Sequence, residues 1–147
     1  MRNKKVDEEK ILSKIDILDS YLEELDEIKI NDFEVYVNSI EKKRSIERLF
    51  QICIETAIDV CNILVSNLKL GIPSDEDSLF EKLKEKKVIS NEMSKILINM
   101  KGLRNHLVHK YEDVKDERVF ENLEKLEDFE KFKEEVLWFL KNIGKYK

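Results

Sequence analysis

Proline occurs once and glycine three times in 147 residues, so the chain has few sharp turns and no glycine-rich loop of the kind that cradles phosphate. Neither a Gly-x-Ser-x-Gly elbow nor an HExxH pair is present, which removes the usual serine nucleophile and the usual two-histidine zinc helix. The only cysteines, Cys53 and Cys61, are eight residues apart. In a helical stretch that spacing is about 12 Å along the axis, too far for a disulfide between them. Both read as buried, inert core thiols of a reducing cytosol.

Positive charge is also in deficit, with a formal net charge of -5. No overall field draws the protein to nucleic acid or anionic lipid, so any RNA contact must be local or completed by a partner or a second subunit. The segment "MRNKKVDEEK" is followed by an amphipathic stretch instead of a signal-peptide core, and the sequence reading finds no run approaching the roughly 18 apolar residues of a membrane span. A cytoplasmic protein without a membrane segment is the expectation.

What the chain does have is 41% hydrophobic and 40% charged residues, dominated by Leu, Ile, Lys and Glu, a balance that makes helices with apolar stripes and solvated faces. The length predicts one domain over residues 1–147. From about Val6 to Ile28, Ile11, Ile15, Leu18, Leu22 and Leu25 recur at helical spacing. Asn31 with Glu34 offers a capping box that opens a segment running to about Leu70, whose broad apolar face includes Phe50, Cys53, Ala57, Cys61 and Leu64. Gly71 and Pro73 predict a helix stop and turn, Ser74 or Asp75 a cap, and a short helix runs from about Glu76 to Lys86.

Ser90 or Asn91 starts a fourth helix, and a fifth follows a brief break near Glu112 to Lys115, with Val119, Leu123, Leu126, Phe129, Phe132, Val136 and Phe139 on one side and Gly144 as a C-cap. The fold class is all-α, an up-and-down bundle of four long helices plus one short helix.

Both histidines fall in "RNHLVHKY", Arg104 to Tyr111, at the end of the fourth helix. At about 100° per residue, Arg104, Leu107, Val108 and Tyr111 share one side, and Asn105 and His109 an adjacent strip. Taken singly, each polar residue here suits a solvated helix end; together they place a guanidinium, an amide, an imidazole and a phenol beside an apolar wall. Measured from Arg104, His106 lies at about 200° and His109 at about 140°, which does not favour a shared metal, and no metal or other cofactor is expected.

"RNHLVHKY" resembles the Arg-x4-His-x-Tyr motif of HEPN-domain proteins, with Arg104, His109 and Tyr111 in the defining places and His106 in the spacer. "RSIERLFQICIETAIDVCNILVS", Arg44 to Ser66, is similar to the long second helix of the HepT-like branch. The resemblance implies a homodimeric ribonuclease toxin that cuts RNA without metal. It also implies a minimal nucleotidyltransferase antitoxin of the MntA type, which silences the toxin by attaching AMP to the motif tyrosine, Tyr111.

Such cleavage needs a base for the ribose 2′-OH, a cation for the phosphorane charge and an acid for the leaving 5′-oxygen. His109 fits the first role and Arg104 the second; a second copy of the motif across a dimer would bring the acid. Asn105 fits a supporting role, orienting imidazole or phosphate. Glu55 and Asp59 either face the motif or form an exposed acidic strip. The alternative function is a non-catalytic HEPN module that binds a nucleotidyltransferase or nucleotide as scaffold or regulator.

Overall fold

The computed structural model describes residues 6–109 and 115–143, and among these it contains seven helices and no strand. They are α1 (Glu8–Ile28), α2 (Phe33–Asn38), α3 (Ile40–Asn67), α4 (Glu76–Glu85), α5 (Asn91–His109), α6 (Asp116–Leu123) and α7 (Glu127–Asn142). The long helices α1, α3, α5 and α7 make the bundle, as the apolar spacing predicts.

α1 starts where Asp7 accepts a hydrogen bond from the Lys10 amide at 3.1 Å, and all five of its expected core residues are buried. It runs antiparallel to α3: the Asp7 amide donates to the Asn67 side chain at 2.7 Å at one end, and further along Lys14 pairs with Asp59 at 3.2 Å. α3 is the central helix, packed against α1, α2, α4 and α5. One window of it reaches a mean hydropathy of 1.6 over 18 residues, enough by length and composition for a membrane span. That corrects the sequence reading, which found no such run, and the neighbours on several sides of α3 account for its width of apolar surface.

Two predicted helices are each broken in two. Asp32, not Asn31, caps the first turn after α1, accepting from the Val35 amide at 3.1 Å. The helix so begun ends after six residues, and Ser39 caps α3 by accepting from the Lys42 amide at 3.4 Å. The break lets α2 turn its Phe33 and Tyr36 rings onto Phe120 of α6, with centroids 5.3 Å and 5.9 Å apart. The last predicted helix likewise divides at Glu124 to Leu126, because α6 packs on α2 while α7 packs on α5. Neither break carries a glycine or proline.

The stop after α3 is made by a lysine instead of the expected Gly71. Lys69 takes φ +57°, its amide bonds to Ser66 O and that of Leu70 to Val65 O, which is a Schellman ending with a non-glycine in the left-handed place. Gly71, at φ +98°, shapes the turn that follows. Lys87 repeats the device after α4. Asp75 caps α4 at 2.7 Å and Ser90 caps α5 at 3.0 Å, each one of the two residues expected there. Gly144 lies outside the described residues.

Candidate functional site

α4 and α5 lie antiparallel, so the acidic first turn of α4 meets the last turns of α5. Arg104 Nη2 donates to Glu76 Oε1 at 2.5 Å, and one turn earlier Lys101 pairs with Asp77 at 2.6 Å. Glu76 and Asp77 also suit the positive end of the α4 dipole. The Arg104 side chain is only 15% exposed, and its Nε donates to Asn105 Oδ1 at 3.0 Å. The guanidinium is therefore fixed along one edge by an amide and a carboxylate, while Nη1 makes no hydrogen bond among the described residues. A planar fork held this way suits an anion approaching its remaining edge.

Asn105 bonds to the Arg104 guanidinium, whereas the sequence reading offered it the imidazole or a phosphate. His109 is the last residue of α5 and is exposed. Five residues separate it from Arg104, about 140° around the helix and about 7.5 Å along it, so the two side chains leave the helix in different directions. Tyr111 lies outside the described residues.

His106, a spacer residue by sequence, has a neighbour that sequence reasoning missed. Arg118 of α6 reaches back over α5, with Nη1 3.4 Å from His106 Nδ1 and Nη2 3.4 Å from the Asn99 carbonyl. Gly102 lies beneath it: a Cβ there would stand 3.0 Å from Arg118 Nη2. A glycine four residues before His106 and an arginine in the next helix were the only signals, and nothing in the spacing joins them.

Glu55 and Asp59 are engaged elsewhere, Glu55 accepting from Gln51 at 3.2 Å and Asp59 pairing with Lys14; the carboxylate beside Arg104 is Glu76. Cys53 and Cys61 are free and buried. Burial, with a smaller contribution from Glu24, pushes the Cys53 thiol up to about 12, and burial raises Cys61 further. Neither is a nucleophile at neutral pH. Among the described residues no group of three or more His, Cys, Asp or Glu is placed to share a metal ion.

The arrangement offers a fixed guanidinium, an exposed imidazole and a second guanidinium at one helix end, a set suited to phosphodiester chemistry. Comparison with known proteins points the same way. Residues 18–136 match the family model described as ribonuclease HepT-like. A tRNA nuclease HepT of Aphanizomenon flos-aquae is 30% identical over 110 residues, covering 75% of each chain. An mRNA nuclease HepT of Shewanella oneidensis is 36% identical over 83 residues, 56% of this chain and 62% of the relative. Among solved structures, the tri-AMPylated HEPN toxin of Shewanella oneidensis in complex with the MNT antitoxin superposes with a TM-score of 0.80 at 28% identity, over 86% of this chain and 95% of the toxin.

Proposed function

This chain belongs to the HepT-like ribonuclease family, and from that premise we propose that it is the endoribonuclease toxin of a toxin–antitoxin pair, with Arg104 and His109 as its catalytic residues. The observation that carries this is the fixed Arg104 fork on the same helix end as His109, inside the segment that matches the family.

In the proposed reaction the neutral imidazole of His109 takes the proton of a ribose 2′-OH, and that oxygen attacks the adjacent phosphorus. Arg104 Nη1 and Nη2 face the charge that builds on the non-bridging oxygens, the stage at which a preorganised donor lowers the barrier most. As the P–O5′ bond breaks, the leaving oxygen takes a proton from a second acid, and the products are a 2′,3′-cyclic phosphate and a 5′-hydroxyl.

The divergence of Arg104 and His109 by about 140° around one helix supports a homodimer. Two copies related by a twofold axis would set one protomer's His109 as base against its partner's imidazole as acid, and would double the local positive charge of an acidic protein. Asn105 holds Arg104 in place.

The regulation follows from the same likeness. Tyr111 is the residue an MntA-like nucleotidyltransferase would modify, and each AMP attached brings a phosphate and a nucleoside to the end of α5 where RNA must bind. The test is co-expression with such a partner followed by intact-mass analysis and peptide mapping. Mass added in AMP units on Tyr111, with RNA cleavage by the unmodified chain that His109→Ala abolishes, is the expected result. An unmodified Tyr111, or full cleavage by His109→Ala protein, overturns it.

A further inference from the structure

Arg118 is a cation of this helix end that the reaction above leaves unused. It belongs to α6, yet its guanidinium lies across α5, with Nη1 3.4 Å from His106 Nδ1 and Nη2 3.4 Å from the Asn99 carbonyl. Both contacts are long for hydrogen bonds to a guanidinium. Three of the cations nearby have carboxylates: Lys101 has Asp77, Arg104 has Glu76, and Lys43 has Asp116. Arg118 forms no ion pair among the described residues.

A glycine lies beneath it. Gly102 sits inside α5, where glycine is the least favourable residue after proline. Arg118 Nη2 is the one group, among the described residues, that a Cβ at 102 would meet within 4 Å. Asn99, Gly102, His106 and His109 follow one another along the same strip of α5, within about 80° of arc. The missing Cβ therefore lets Arg118 Nη2 sit a few tenths of an ångström closer to the strip that ends at His109.

We propose that Arg118 is a substrate-positioning residue that contacts an RNA phosphate next to the scissile one, and that Gly102 serves to seat it. The assignment rests on the ribonuclease function proposed above. Arg104 faces the reacting phosphate from the α4 side of α5; Arg118 holds the strand from the α6 side, where its long contacts yield to an oxyanion. Since such a contact forms equally in the ground and transition states, it acts on KM more than on kcat.

The experiment measures binding of a labelled single-stranded RNA to the full chain carrying His109→Ala, alone and combined with Arg118→Ala or Gly102→Ala, between about 50 and 200 mM salt. Arg118→Ala is expected to weaken binding about five- to tenfold and to lower the slope of log affinity against log salt by about 1. In otherwise wild-type protein it raises KM by a similar factor with kcat nearly unchanged.

Gly102→Ala displaces the flexible end of Arg118. It should weaken binding in the same direction while raising Tm by about 3 °C, a combination that a merely structural role for the glycine does not give. Unchanged affinity and salt slope in Arg118→Ala protein overturn the proposal, as does RNA affinity lost only together with the fold. Because affinity is read in the His109→Ala background, a wild type that fails to cut RNA counts against the nuclease function, and the affinity series still decides Arg118.

Discussion

The two flanks of α5 treat their arginines in opposite ways. On the α4 flank, Arg104 is held at 2.5 Å by Glu76 and at 3.0 Å by Asn105, with its side chain 15% exposed. On the α6 flank, Arg118 rests 3.4 Å from an imidazole and a carbonyl. A guanidinium gripped by a carboxylate loses some attraction for phosphate but gains a fixed orientation, and one with no carboxylate partner among the described residues keeps its charge and yields its place. The first condition suits transition-state stabilisation, where geometry dominates, and the second suits binding, where net charge does.

The largest expected effect that separates the flanks is on turnover. Arg104→Ala should lower kcat for RNA cleavage by about a hundred- to a thousandfold, whereas loss of Arg118 should be felt mainly in KM. Steady-state kinetics on one RNA substrate checks this, and equal losses of kcat in the two variants would erase the distinction.

A smaller effect should follow from removing the grip without the arginine. Glu76→Ala is expected to lower kcat by about tenfold through a mobile Arg104. Glu76→Gln keeps an acceptor within reach and should retain most of the rate. If both variants cut RNA faster than wild type, the carboxylate restrains the toxin instead of orienting its arginine.

The smallest effect concerns the core behind the site, where α3 buries thiols that the chemistry does not use. Cys53 is raised to about 12 from an ordinary thiol value of 9.0, and burial raises Cys61 and Tyr36 in the same direction. Groups whose folded pKa lies above the unfolded value bind protons more tightly in the folded state, so their contribution to stability is complete below about pH 9 and falls as pH rises towards 12. Denaturant unfolding should accordingly show a midpoint that drops across that alkaline window, and alkylation of Cys53 and Cys61 should be slow near neutral pH until the chain unfolds. A flat midpoint from pH 9 to 12 would contradict the burial of these groups.

Tyr36 shows where packing overrides local chemistry. Its ring is fully buried against Phe120, and its hydroxyl finds no hydrogen-bond partner among the described residues. The ring's apolar surface offsets the cost of the unsatisfied hydroxyl. The same contact explains the two helix breaks that periodicity missed. Val119, Leu123, Leu126 and Phe129 keep helical spacing through the turn at Glu124 to Leu126, so no local signal marks it. The chain bends because α6 and α7 have different neighbours. Lys69 likewise adopts a left-handed backbone conformation where a local reading places the stop at Gly71, and Lys87 adopts one where no glycine is near, since the Schellman bonds and the burial of Val88 fix the chain there.

Spacing alone determined a good deal. The stripes of α1, α3, α5 and α7, the caps narrowed to Ser74 or Asp75 and to Ser90 or Asn91, and the burial of both cysteines follow from periodicity, and the candidacy of Arg104 and His109 from a resemblance carried by a short motif, because each depends on residues within a turn or two of one another. What only the tertiary structure decided depends on residues far apart in the chain. Glu76 became the partner of Arg104 across 28 positions, while Glu55 and Asp59 found other partners. His106 acquired Arg118 across 12 positions, over a glycine whose purpose no helical wheel reveals. A helix pattern reports which face turns inward; which side chains meet on the other faces is settled by how the helices pack against one another.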